Sequence, residues 1–164
     1  MVRLPGPRQR SSTAKSRGRF APLYGPPGVA YVYLNYGIHY LVNAVTEGEG
    51  WPAAVLLRAL EPKDGIALMR RRRAQSGAKR PRDFAVEDLC RGPGNLTKAL
   101  GLDLRQNLRD LTSSSLRIED HGLPTRAVAW SRRIGINVAV EPEWRVYALD
   151  STAVSGQRRV SVQC

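Results

Sequence analysis

The chain has 164 residues, 42% of them hydrophobic, enough to bury the core of one ordinary domain and too apolar for a disordered tail. Its 26 Lys and Arg against 14 Asp and Glu leave a net charge of +12, so its partners are expected among polyanions, whose condensed counterions are released on binding. No run approaches the roughly 18 uninterrupted apolar residues of a membrane helix, and no apolar stretch follows the basic N-terminus as a signal peptide requires.

Two cysteines, Cys90 and Cys164, form neither a disulfide framework nor a metal-spacing motif, and His39 and His121 lack partners at ligand spacing, so no metal is expected. These features place the protein in the cytosol, and with the nucleoid if the source is bacterial. Charge alone fits DNA, RNA, a ribosomal site or anionic lipid.

In chain order, residues 1–23 form a basic segment with Arg3, Arg8, Arg10, Lys15, Arg17 and Arg19, no acid, and several Pro, Gly and Ser. That composition buries no core, and the segment reads as flexible or irregular. Order is expected over residues 24–164, after the turn cluster Tyr24-Gly25-Pro26-Pro27-Gly28.

Ala30 to Asn35 alternates, with Tyr31 and Tyr33 on one face and Val32 and Leu34 on the other, which predicts a strand. Ile38 to Val45 predicts a second, with Ile38, Tyr40 and Val42 opposite His39, Leu41 and Asn43. The intervening Tyr36-Gly37 marks a hairpin that carries Tyr36 at its tip. Ala53–Leu60 is an apolar run short enough for a buried strand.

A helix is expected after Glu61-Pro62-Lys63-Asp64, with Asp64 as its cap, Ile66 and Met69 inward, and Arg70, Arg71, Arg72 and Arg73 as a solvated end suited to phosphate. Asp88 to Leu100 reads as helix interrupted at Gly92-Pro93-Gly94. Short strands follow at Leu116–Glu119, Ala127–Trp130, Ile134–Val140 and Trp144–Leu149. The order predicts a single α+β domain, mostly antiparallel sheet with flanking helices and a protruding hairpin.

Three residues stand out. Tyr36, a large ring beside Gly at a strand break, should project outward, where it can stack on bases or enter a base step. Arg58 lies within Val55-Leu56-Leu57-Arg58-Ala59-Leu60, where a charge needs a partner such as Glu61 or a ligand. Asn43, inside an apolar strand, either finds hydrogen-bond partners or lines a pocket.

With those residues in view, Tyr31-Val32-Tyr33-Leu34-Asn35-Tyr36-Gly37-Ile38-His39 resembles the signature hairpin of the alkyladenine (3-methyladenine, methylpurine) DNA glycosylases. Four further stretches resemble the same family in the same order. They are Gly25-Pro26-Pro27-Gly28, Val55 through Pro62, Leu89-Cys90-Arg91-Gly92-Pro93-Gly94-Asn95-Leu96-Thr97-Lys98-Ala99-Leu100, and Ser151-Thr152-Ala153-Val154-Ser155-Gly156. Together they cover roughly residues 24–160.

The resemblance implies a base-excision-repair hydrolase that flips alkylated or deaminated purines such as 3-methyladenine, 7-methylguanine, hypoxanthine or ethenoadenine out of double-stranded DNA. It implies hydrolysis of the N-glycosidic bond by one water, without metal or organic cofactor. A monomer is expected, because binding one flipped base needs no dyad. Tyr36 matches the tyrosine that fills the gap left by the flipped nucleotide. Tyr33 matches the one that stacks on the base, Asn43 the asparagine that excludes guanine-type amino groups, and Arg58 the arginine at the lesion nucleotide near the hydrolytic water. His39 joins Tyr33, Asn43 and Arg58 as expected substrate-binding residues, and Tyr36, Gly37, Arg19, Arg70 and Arg73 are the expected DNA contacts.

One part of the pattern departs. The family's general-base glutamate, in a Glu-Ala-Tyr sequence before a Gly-Pro, falls at Val2 when Gly6-Pro7 is matched. Its companion tyrosine falls at Leu4 and the expected histidine near Thr13. The catalytic residue is therefore unknown from sequence. Either the reading frame begins late or shifts near its 5′ end, the expectation here, or the protein binds lesions without cutting.

Overall fold

The computed structural model describes residues 18, 20–75, 80–124, 126–137 and 141–156. Arg19, Val2 and the rest of residues 1–17 lie outside the described residues, as does any DNA contact expected there.

Alternation builds the centre of the protein. β1 (Ala30–Asn35), β2 (His39–Val45) and β3 (Ala54–Leu56) form one antiparallel sheet in that order. The register sets Val32 opposite Val42, Tyr33 opposite Leu41 and Tyr31 opposite Asn43. Because side chains alternate across a strand, Ala30, Val32 and Val42 share one face, and they enter the core with Phe84, Leu89, Leu96, Ala99 and Leu111. β1 runs as the sequence predicts, and β2 begins one residue later because Ile38 belongs to the turn.

Three helices cover that face: α1 (Ile66–Ala74), α2 (Val86–Leu89) and α3 (Pro93–Leu100). Ile66 and Met69 pack inward as expected. Asp64 does not cap α1: the preceding residue is Gly65, at φ 69°, and no side chain caps the end. The break falls at Cys90, Arg91 and Gly92, between α2 and α3, and Pro93 opens α3, where its missing N–H costs no helical bond.

The free edge of β1 is covered by a loop rather than a strand. Asn107 Oδ1 accepts from Val32 N at 2.9 Å, Leu108 N donates to Ala30 O at 2.8 Å, and Leu111 N donates to Gly28 O at 2.7 Å. Pairing of this kind blocks edge-to-edge association.

Beyond residue 112 the strand expectations need correction. Leu116–Glu119 and the described part of Ile134–Val140 are irregular. Among the described residues there, only β4 (Val128–Ser131) and β5 (Arg145–Ala148), the expected Ala127–Trp130 and Trp144–Leu149 strands, pair, as a separate two-stranded antiparallel sheet. Ala53–Leu60 is a strand for three residues alone, with Val55 exposed. Past Leu57 the chain leaves β2, and Ala59 pairs with Arg91 instead. The fold is α+β with antiparallel sheets, and among the described residues no helix is long and apolar enough to cross a membrane.

The arginine run at the end of α1 is the largest correction. A solvated cluster was expected; only Arg71 is exposed. Arg70 Nε donates to Phe84 O at 3.1 Å, and Arg73 donates to Leu89 O at 3.2 Å while lying 5.2 Å from the Phe84 ring centroid. Arg72 donates to Ala99 O at 3.2 Å and Leu100 O at 2.9 Å, capping carbonyls that the end of α3 leaves unpaired. So Arg70 and Arg73, expected at phosphate, hold protein carbonyls in this structure.

Arg72→Ala should therefore lower unfolding stability by about 1–3 kcal/mol, the cost of orphaned part-buried carbonyls, whereas Arg71→Ala should be near neutral. Urea melts of both variants check this; equal effects would return the run to a solvated surface.

Candidate functional site

The turn between β1 and β2 is a three-residue loop, Tyr36-Gly37-Ile38, closed by the Asn35–His39 pair. Ile38 N donates to Asn35 O at 3.0 Å, and both central residues have positive φ, Tyr36 at 49° and Gly37 at 69°. Positive φ at both central positions is the mark of a type I′ turn. Gly37 meets it without strain, and Tyr36 does not, since a Cβ disfavours the left-handed region.

The consequence is an aromatic ring standing away from the protein. Tyr36 is 89% exposed, and Ile38 beside it is 71% exposed. Sequence reasoning placed Ile38 on a strand face. Its position one residue after a positive-φ glycine was the available signal.

The sheet face opposite the core carries the other expected residues. Tyr31 and Tyr33 stack at 5.1 Å between centroids with an interplanar angle of 28°. Tyr31 is buried and Tyr33, nearer the turn, is partly open. Across from Tyr31, the Asn43 side chain is only 8% exposed, and its Nδ2 donates to Tyr31 O at 3.0 Å. That bond fixes the amide's orientation. Tyr33 and Asn43 thus share one face, while His39, on the return strand, is exposed and packs against α3.

Arg58 follows β3. Of the two alternatives, an acid such as Glu61 or a ligand, the Glu61 pairing is not formed: Glu61 is engaged by Arg126 at 2.9 Å and Lys63 at 3.8 Å. Hydrogen bonds from Ser151 and then Arg126 hold the Glu61 carboxyl below its usual range. Arg58 Nε is buried without a hydrogen-bond partner. Burial, with Arg145 as a neighbouring like charge, pulls its guanidinium below the ordinary arginine value. A half-buried cation in this state is stabilised by an anionic ligand far more than a solvated one would be.

Arg145 was missed by sequence reasoning. It is 6% exposed, donates to Ser131 Oγ at 2.8 Å and Ser155 O at 2.7 Å, and lies 4.3 Å from the Tyr147 ring centroid. An arginine between Trp144 and Val146 in an apolar strand carried the same signal as Arg58. Arg126, joined to Asp150 at 2.8 Å as well as Glu61, ties β3's exit to the turn after β5, and Arg91 donates to Thr152 O across the same junction.

Among the described residues, no three His, Cys, Asp or Glu side chains converge as metal ligands would. The described carboxylate nearest Arg58 in sequence, Glu61, is the one engaged by Arg126 and Lys63.

The structure therefore defines a small α+β protein with an aromatic-tipped hairpin, a tyrosine- and asparagine-bearing sheet face, and a half-buried arginine whose Nε has no hydrogen-bond partner among the described residues. The chain belongs to the methylpurine-DNA glycosylase family, whose sequence pattern it matches over residues 7–152. It is 49% identical over 127 residues to a protein of Bradyrhizobium diazoefficiens, 75% of this chain and 57% of that one. It is 42% identical over 140 residues to one of Rubrobacter xylanophilus, 85% of this chain and 68% of the relative. To one of Desulfitobacterium hafniense it is 38% identical over 144 residues, covering 86% and 71%. All three are named, provisionally, 3-methyladenine DNA glycosylases. The matches span between 57% and 71% of these relatives' own lengths.

Proposed function

We propose that this protein recognises damaged purines in double-stranded DNA by extruding them, acting as a monomer in base excision repair. The observation that carries the reading is the Tyr36 ring, 89% exposed on a left-handed backbone at the tip of a hairpin in a chain of net charge +12. A protein gains nothing in its own stability from an aromatic there. A base stack offers the ring a partner, worth roughly 1–3 kcal/mol per stacked base.

In this reading Tyr36 fills the vacated step, with Ile38 beside it against the neighbouring bases. The flipped base stacks on Tyr33, and Asn43, its amide fixed by Tyr31 O, crowds bases carrying an extra amino group. Arg58 meets the lesion nucleotide. Unstacking costs a few kcal/mol, least for a base that pairs badly, so alkylated or deaminated purines such as 3-methyladenine or hypoxanthine are selected. Excision is hydrolysis of the N-glycosidic bond by a water that a general base deprotonates.

A second reading, binding without cutting, follows from the resemblance, which when Gly6-Pro7 is matched sets valine at position 2 in the place of the family's glutamate. Valine accepts no proton, and loss of a general base costs about 10²–10⁴ in rate. Incubating excess protein with a hypoxanthine duplex, then cleaving abasic sites with alkali, separates the two. Strand breaks at hypoxanthine establish the glycosylase. Tight, salt-sensitive binding without breaks establishes the binder, and equal affinity for undamaged duplex contradicts both.

A further inference from the structure

We infer that Gly94 is a positioning residue for the hairpin: the missing side chain lets the His39 ring seat on the first turn of α3, and this seat sets the angle at which Tyr36 leaves the protein. The inference rests on the wedge reading above.

A Cβ built on Gly94 would lie 2.7 Å from His39 Cγ, 3.0 Å from its Cβ and 3.0 Å from its Nδ1, closer than side chains pack. The backbone does not require glycine there, since Gly94 is not among the residues with positive φ, and at a helical position alanine is ordinarily favoured. The glycine is explained by what approaches it. The next residue of β2 is held by the same helix: Thr97 Oγ1 donates to Tyr40 O at 2.7 Å, and Thr97 is buried.

The seat is itself fixed. Asn95 Nδ2 donates to Arg91 O at 2.7 Å across the turn into α3, and the Arg91 side chain reaches Thr152 O. Two consecutive residues of β2 are therefore clamped to a braced helix start, three and four positions after Tyr36. A hairpin anchored on one side only would let its tip swing, and misplacement by about 1 Å can cost on the order of 100-fold at a reacting centre.

The test is a double-mutant cycle on the whole chain with Gly94→Ala and His39→Ala. Its readouts are thermal melting and competition between a hypoxanthine duplex and the same undamaged duplex. Gly94→Ala alone should reduce lesion preference roughly tenfold or more and lower the melting temperature. In the His39→Ala background the methyl has room. The same substitution should then leave lesion preference unchanged and raise the melting temperature, as alanine does in a helix. Gly94→Ala with unaltered lesion preference, or effects that simply add in the two backgrounds, would overturn the inference. If the wild-type chain shows no lesion preference, the wedge reading fails, and the sign of the melting shift in the two backgrounds still decides the contact.

Discussion

Tyr36→Asn should melt at a higher temperature than the wild type while losing its grip on lesion duplex. The ring sits at φ 49° in the first central position of a type I′ turn, a place where asparagine is favoured and an ordinary side chain costs on the order of 1–2 kcal/mol. Relief of about 1 kcal/mol corresponds to a rise of about 2–4 °C for a chain of this size. On DNA the sign reverses, because a lost stacking partner costs about 1–3 kcal/mol, up to roughly a hundredfold in affinity for the extruded state. Undamaged duplex, where no gap is filled, should bind nearly as before. Tyr36→Ser should lose lesion preference in the same way with a smaller thermal gain, since serine tolerates the left-handed region less well than asparagine. Calorimetry and competition binding on the same samples check both signs. A lower melting temperature for Tyr36→Asn would mean that the ring supports the fold.

Arg58→Met should likewise separate stability from binding. The substitution keeps the aliphatic stem and removes a charge whose Nε is buried without a partner and whose neighbour is another arginine. Removing an uncompensated charge of this kind is neutral or stabilising, in contrast to breaking an ion pair. The melting temperature should therefore stay level or rise. Lesion-duplex affinity should fall at least tenfold, and if the anion met is a phosphate, the slope of log K against log salt should shrink by about one. A marked drop in stability with unchanged DNA binding would show that Arg58 serves the fold. Arg126→Met is the contrast, because it strips two carboxylates, Glu61 and Asp150, of a shared partner.

What the sequence revealed and what it concealed follow from range. β1 was legible to the residue because alternation is local, and the turn was legible because Tyr-Gly interrupts it. Arg58 was legible as a charge in an apolar run, and the structure supplies the missing half, that Glu61 is engaged elsewhere. The arginines of α1 were misread because their acceptors lie far along the chain: Phe84 O for Arg70, and Ala99 O and Leu100 O for Arg72. Nothing within a helical window shows that a neighbouring helix end needs donors. Gly94 read as part of a Gly-Pro-Gly break, whereas its role comes from a histidine on another element. Of the late strands, Ala127–Trp130 and Trp144–Leu149 stand as β4 and β5. Leu116–Glu119 fails for a related reason: Ile118 N bonds Leu111 O as a loop contact, and among the described residues no strand is placed to pair with its neighbours.

The most direct test of the account uses the fluorescence of 2-aminopurine placed next to hypoxanthine in a duplex, followed as the protein is added. Extrusion of hypoxanthine unstacks the reporter, so the wild type should raise its emission at saturation, and Tyr36→Ser, titrated to the same saturation, should leave it near the level of free duplex. Equal rises for both proteins, or no rise with the wild type bound, would contradict the claim that this ring opens the base stack.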